Sequence, residues 1–255
     1  MKIILSPAKR LDFSAPQPYE DYSNPLFLTH ASEIISQLRN YSVNELKTLM
    51  NISPALAQQN FERHRIWTKT HTPKNSRPAI LAYRGAVYEA MKAYEMQKKH
   101  YLRLQDFVRI ISGAYGLLRP LDLIQPYRLE MKTPLKVAGA KNLYAYWKTL
   151  LTDTLKTELK ADTTPVLINL ASQEYAKAID FKALETPVIT PVFKEGKGNR
   201  YSVVAIYAKQ ARGLMTRFIV ENNLQHQEDI KAFDEAGYYF NSGLSSETEY
   251  VFTRN

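Results

Sequence analysis

Residues 188–207 read VITPVFKEGKGNRYSVVAIY. Two apolar, β-branched runs, 188–193 and 201–207, flank Glu195-Gly196-Lys197-Gly198-Asn199, a loop with turn chemistry. That pattern predicts a β-hairpin and therefore antiparallel pairing. Elsewhere short buried strands alternate irregularly with helices: strands at 3–5, 78–83, 107–111 and 166–170, helices at 26–40, 87–96 and 143–159, a short helix capped by residues 171–174, and closing strands at 238–240 and 250–252. The expected fold is mixed α/β (α+β), a mixed sheet surrounded by helices rather than a purely parallel one. Residues 12–25 hold three prolines and read as a long loop. No linker or repeat divides the chain, so one domain over 1–255 is expected, with residues 26–75 as a helical lobe within it.

The hairpin leads into YAKQARGLMTR at 207–217. In a helix over 208–222, Lys209, Arg212 and Arg217 spread over roughly 140° of one side. Ala211, Leu214, Met215 and Phe218 fall opposite, facing the core. The cationic stripe has the spacing to track phosphates, although solvated basic faces are common. Gly213 costs about 1 kcal/mol against alanine in mid-helix, and is better tolerated where something approaches the backbone closely.

Further upstream, residues 112–131 read SGAYGLLRPLDLIQPYRLEM. Two glycines and two prolines set the backbone around Arg119, Arg128 and Glu130. The segment either presents cations to an anion or pairs them internally with Asp122 and Glu130. Lys9 follows the first strand, and Tyr83-Arg84-Gly85 and Asn169-Leu170-Ala171-Ser172 also sit just after predicted strands. Ligands in open α/β sheets favour the carboxyl ends of strands, so one shared cleft is expected around Lys9, Arg84, Arg128 and Arg212.

Ser42-Val43-Asn44-Glu45 is a capping box opening a helix to about Met50. Ser53-Pro54 then starts a second helix, with serine as N-cap and proline at N1. Asn51, Ile52 and Ser53 thus join two helices in the proportions of a helix-hairpin-helix, whose amides and helix N-terminus suit a phosphate. Asparagine and serine replace the usual glycines; a plain helical hairpin packing on the core fits the same residues.

The chain has 255 residues, 45% of them hydrophobic, a formal charge of +9 and no cysteine. The charge favours polyanions, nucleic acid first. Thiolate chemistry, disulfides and cysteine-ligated metals are excluded. The five histidines, at 30, 64, 71, 100 and 226, show no metal spacing, and no G-x-x-x-x-G-K-[ST], G-x-G-x-x-G or H-E-x-x-H occurs. No metal or cofactor is expected. The N-terminal apolar run is too short for a signal peptide and no segment approaches a membrane span, so a cytoplasmic location is expected, with no membrane or protein partner.

Assembled, these residues resemble the YaaA peroxide-stress proteins of bacteria. The resemblance rests on IILSPAKRLDF (3–13), AYRGAVYEA (82–90), ISGAYGLLRPLDLIQPYRLEM (111–131), INLASQEY (168–175), PVFKEGKGNRYSVVAIYAKQARGLMTRFIVEN (191–222) and AGYYFNSGLSSETEYVF (236–252). Arg10 departs from the family pattern, which has threonine after the lysine, and Asn51 and Ser53 match the family's hairpin only loosely. The resemblance implies a family-specific fold with a basic cleft and a helix-hairpin-helix. It also implies affinity for DNA, duplex and structured, and a role under hydrogen peroxide in limiting unincorporated iron and oxidative damage. The expected DNA or phosphate contacts are Lys9, Asn51, Ile52, Ser53, Arg84, Arg119, Arg128, Lys194, Lys209, Arg212 and Arg217. The alternative is an enzyme acting on a nucleotide or nucleobase in the same cleft, with Lys9 and Glu130 as candidate catalytic groups. Iron storage lacks the paired E-x-x-H of carboxylate bundles.

Overall fold

The computed structural model describes residues 1–14, 19–198 and 200–255. In chain order the chain forms β1 (Lys2–Leu5), β2 (Arg10–Leu11), α1 (Leu28–Leu38), α2 (Val43–Met50), α3 (Pro54–Ile66), β3 (Arg77–Pro78), α4 (Ala79–Ala82), β4 (Tyr83–Arg84) and α5 (Ala86–Met91). There follow α6 (Lys98–Phe107), β5 (Val108–Ser112), β6 (Gly116–Leu118), β7 (Leu123–Ile124), α7 (Leu143–Lys160), β8 (Leu167–Asn169) and α8 (Gln173–Ala176). Last come β9 (Val188–Lys197), β10 (Arg200–Ser202), α9 (Ala205–Glu221), β11 (Tyr239–Phe240) and β12 (Glu249–Arg254).

Eight strands make one sheet in the order β11-β12-β9-β8-β1-β5-β6, with β10 added on β9. Strands β12, β9, β8, β1 and β5 run parallel, while β6, β10 and β11 are antiparallel additions. The sheet is mixed, as expected. Its centre is parallel because β1, β5 and β8 are buried along their whole length, and Ile3-Ile4-Leu5 can serve both faces at once. Strand β9 pairs with β8 only through Val188 and Ile189, then runs on past β8 beside β12 to Lys197. It therefore extends beyond the carboxyl ends of the central strands by roughly 25 Å.

The 188–207 hairpin forms, but its second arm is shorter than expected. The ladder couples only Glu195–Lys197 to Arg200–Ser202, Gly198 enters the turn at φ +60°, and residue 199 lies outside the described residues. The helix starts at Ala205, so residues 205–207 are helical rather than strand. These residues are exposed; a longer exposed strand would leave ladder groups unpaired, whereas a helix satisfies its own backbone.

The expected strand at 78–83 is instead a two-residue bridge, a buried helical turn and a second two-residue strand. A four-residue apolar run, Ala79-Ile80-Leu81-Ala82, carries no period that separates helix from strand. The helix expected over 87–96 stops at Met91, where Lys92 turns left-handed at φ 49°. Residues 98–107, not anticipated as a helix, form α6. The expected loop over 12–25 includes residues 15–18, outside the described set; its described part is irregular apart from a bridge between Ser23 and Asp122.

The α2–α3 hairpin follows its sequence signals. Ser42 Oγ accepts from Glu45 N, and Glu45 Oε2 accepts from Ser42 N at 2.7 Å. Asn51 ends α2 in the left-handed region at φ 49°, and Ser53 Oγ accepts from Leu56 N at the start of α3. No helix of the described residues is long and apolar enough to cross a membrane.

Candidate nucleic-acid interface

The loops after β1 and β7 meet at a small pocket. Pro7, Ala8 and Lys9 form one wall, and Tyr127, Arg128, Leu129 and Glu130 another, with Tyr175 of α8 closing it. Gly113 makes this possible: a Cβ there would lie 2.6 Å from the Leu129 carbonyl oxygen, so only glycine lets the 127–130 loop lie on the end of β5. Ser172 N donates to Ser6 Oγ at 2.8 Å, which ties the end of β8 to the end of β1.

Cations gather here around one carboxylate. Lys9 Nζ stands 2.9 Å from Glu130 Oε2, Lys132 Nζ 3.5 Å from the same oxygen, and Arg128 donates to Glu130 Oε1 at 3.2 Å. Burial pushes the Glu130 carboxyl up. The Lys9 hydrogen bond and the charges of Lys9, Lys132 and Arg128 outweigh it, and hold the group below the usual carboxylate range. Glu130 is thus ionised at neutral pH, and the cluster keeps a net positive charge. The Nε of Arg128 is buried with no hydrogen-bond partner among the described residues. It is a donor available to a bound anion.

Beneath the pocket lies a layer of tyrosines. Tyr127 and Tyr83 hydroxyls meet at 2.6 Å, and Ser112 Oγ lies 2.7 Å from Tyr127. Burial pushes the Tyr127 phenol up to about 12 against those two hydrogen bonds, so it serves as a neutral support. Tyr115 packs edge-on against Tyr127 and accepts from Trp67 Nε1 at 2.8 Å. Trp67 caps the C-terminal end of α3, so this chain of rings docks α3 beside the pocket.

Arg63, near that end of α3, was not among the sequence candidates. It is half-buried, and it donates to Asn60 Oδ1 at 3.4 Å; no carboxylate pairs with it among the described residues. Burial first, and then the charge of Arg128, lowers its pKa. Arg63 does not line the pocket, but its charge adds to the positive potential around Arg128. No spacing in the sequence links Arg63 to Arg128; only the fold brings them together.

The other candidates divide. Arg84 pairs in register with Arg10, next to Lys9, but its Nε donates to Asp12 at 3.2 Å. Arg119 is held by Asp122 through backbone and side-chain bonds and also donates to the Asn24 carbonyl, which matches the internal-pairing alternative. Arg217 pairs with Glu221 at 3.0 Å and approaches Glu95. Arg212 is half-buried with no ion pair among the described residues, and burial lowers its pKa. Lys209 is exposed on the same helix, and Lys194 is half-buried on β9 beyond the carboxyl ends of the central strands. Asn51 and Ser53 are exposed at the α2–α3 turn, and Ile52 packs partly on the core. From Ser53 to Arg63 is about 15 Å along α3, so one helix connects that turn to the pocket.

A larger, open groove of about 630 Å³ lies at the amino ends of β9 and β12. Glu228, paired with Lys231, and Glu247 line it, a net negative lining that disfavours a polyanion. Among the described residues no group of three or more His, Asp or Glu side chains is placed to hold a metal ion.

The family model described as peroxide stress protein YaaA matches residues 1–244. The chain belongs to that family. A UPF0246 protein of Burkholderia orbicola is 46% identical over 256 residues, covering 100% of this chain and 98% of its own length. UPF0246 proteins of Saccharophagus degradans and Hahella chejuensis are 43% and 44% identical, each over 100% of this chain. The YaaA match takes in every residue of the Lys9–Arg128–Glu130 pocket, together with Arg63 and Arg212.

Proposed function

We propose that this member of the YaaA peroxide-stress family binds DNA through its phosphate backbone, without reading sequence, at the basic cleft around Lys9 and Arg128. Its part in peroxide stress is then to limit unincorporated iron and the oxidative damage that iron causes at DNA. One observation carries the binding reading: Lys9, Arg128 and Lys132 share a single carboxylate, while Arg63 and Arg212 are half-buried with none among the described residues. Desolvated, unpaired arginines are costly unless an anion completes them. The pocket itself encloses about 10 Å³, room for one water-sized group. A phosphate oxygen fits that space.

Titrating duplex DNA from about 50 to 200 mM salt tests this. Affinity is expected to fall by orders of magnitude, equally for unrelated sequences. Arg212→Ala should lower the slope of log K against log salt by about one while the protein melts normally. Salt-independent binding, or none at low salt, would sink the proposal.

Glu130 gives a second test. Glu130→Gln removes the one negative charge among Lys9, Arg128 and Lys132, so DNA affinity at low salt is expected to rise several-fold and the gain to shrink at high salt. Were Glu130 an acid or base, the same change would abolish turnover on a nucleotide substrate instead. Weaker binding by this variant contradicts the backbone-binding reading.

A further inference from the structure

Residues 201–207, expected as strand and strand only as far as Ser202, leave an unusual surface. Val203 is 55% and Ile206 51% exposed, and Tyr201, Val204 and Tyr207 are exposed with them. The other exposed large apolar side chains of the described residues are scattered along the chain, from Tyr22 to Leu244. Clustering of this kind marks an interaction site. The residues occupy the outer end of the β9–β10 ribbon and the first turn of α9, beyond the carboxyl ends of the central strands.

The chemistry around the patch selects the partner. Lys197, Arg200 and Lys209 flank it, all exposed and none in an ion pair among the described residues. The nearby carboxylate, Glu195, is bonded to Arg254, whose guanidinium also covers the faces of Tyr207 and Tyr238. The face therefore offers apolar groups inside a rim of free cations. A second copy of this chain, at a formal charge of +9, is repelled by that rim; a nucleic acid suits the whole face, since phosphates meet the cations and base faces meet the apolar groups. Helix α9 leads from the patch to the cleft: Lys209 follows Ile206 by one turn, Arg212 lies about 9 Å from Ile206 along the axis, and Gly213 touches Val87, three residues after Arg84.

We propose that Val203, Val204 and Ile206 form an apolar wedge that packs against base faces at an unstacked step or an open end of the bound nucleic acid. The wedge rests on the DNA-binding reading and adds to it a preference: mismatched, branched or single-stranded DNA over intact duplex, where no base face is free.

The test uses the full chain, the double variant Val203→Ser/Ile206→Ser, and Lys209→Ala. Binding is followed by anisotropy over a salt series, with intact duplex and with duplex carrying 2-aminopurine opposite a mismatch. The double variant is expected to lose about tenfold in affinity for the mismatched duplex, and the 2-aminopurine fluorescence change, while keeping the parent's salt slope. Apolar contacts release no counterions, whereas Lys209→Ala should lower the slope. A double variant that binds both duplexes as the parent does overturns the wedge. So does a parent that sediments as a dimer and becomes monomeric in the double variant, since the face would then join two copies. A parent that binds neither duplex at low salt removes the DNA-binding reading itself, and the wedge with it.

Discussion

Gly213→Ala is expected to destabilise this protein by about 3 kcal/mol or more, and to lower its melting temperature by about 10 °C. A Cβ on Gly213 would stand 2.0 Å from the Val87 carbonyl oxygen and 3.0 Å from Met91 N. Helices α5 and α9 therefore touch backbone to backbone. The obstacle is main chain, not the tip of a flexible side chain, so one helix must move. Helix propensity alone would make alanine better by about 1 kcal/mol, so even the sign of the change discriminates. Denaturation in urea measures it; a variant as stable as the parent would show that the helices do not cross this closely. Because Arg212 is the neighbouring residue, DNA binding should weaken in the same variant.

Stability is expected to fall steeply between pH 6.5 and 4, driven by two histidines. His64 is almost wholly buried on α3, and neither ring nitrogen has a hydrogen-bond partner among the described residues. Burial, reinforced by Arg39 and Arg63, lowers its pKa to about 4. Burial likewise lowers His71 to about 4, against the Lys69 carbonyl, which favours the charged form. Tyr115 explains why His71 must be neutral. Its hydroxyl accepts from Trp67 Nε1 and Gln125 N, so its own proton is donated to His71 Nε2, 3.0 Å away. In the unfolded chain both groups titrate near 6.5. The unfolded state thus takes up protons first as pH falls: stability is full above about 6.5, declines through the window, and stays low beneath 4. Each histidine contributes about 3 kcal/mol to that decline. Urea midpoints between pH 7.5 and 4.5 measure it, and His64→Leu should remove about half the slope. Midpoints that hold constant across the window would contradict the assignment.

Local signals were read well where the cause was local. The Ser42–Glu45 capping box, the left-handed Asn51 and the Ser53-Pro54 start of α3 each depend on residues within one turn, and each stands as expected. The run Ala79–Ala82 was misread because four buried apolar residues carry no period, and the choice between helix and strand fell to their neighbours. Gly213 was recognised as a place of close approach, but what approaches is α5, brought there by the fold.

By itself the sequence determined the mixed α/β class, the membership in the YaaA family, the excess of cations and the strand ends on which Lys9 and Glu130 lie. The class, the charge and the strand ends follow from composition, from short-range hydrogen bonding and from apolar periodicity, all of which act between near neighbours, whereas the family follows from motifs matched along nearly the whole chain. Tertiary structure alone decided which cations are neutralised and which are left. Arg119 and Arg217 found carboxylates, Arg128 shares Glu130 with two lysines, and Arg63 and Arg212 found none among the described residues. Pairing depends on distances of a few ångströms between residues far apart in the chain, here Lys9 with Glu130. A sequence pattern carries no record of such distances until the sheet, the Trp67–Tyr115–Tyr127 stack and the glycine at position 113 have set them.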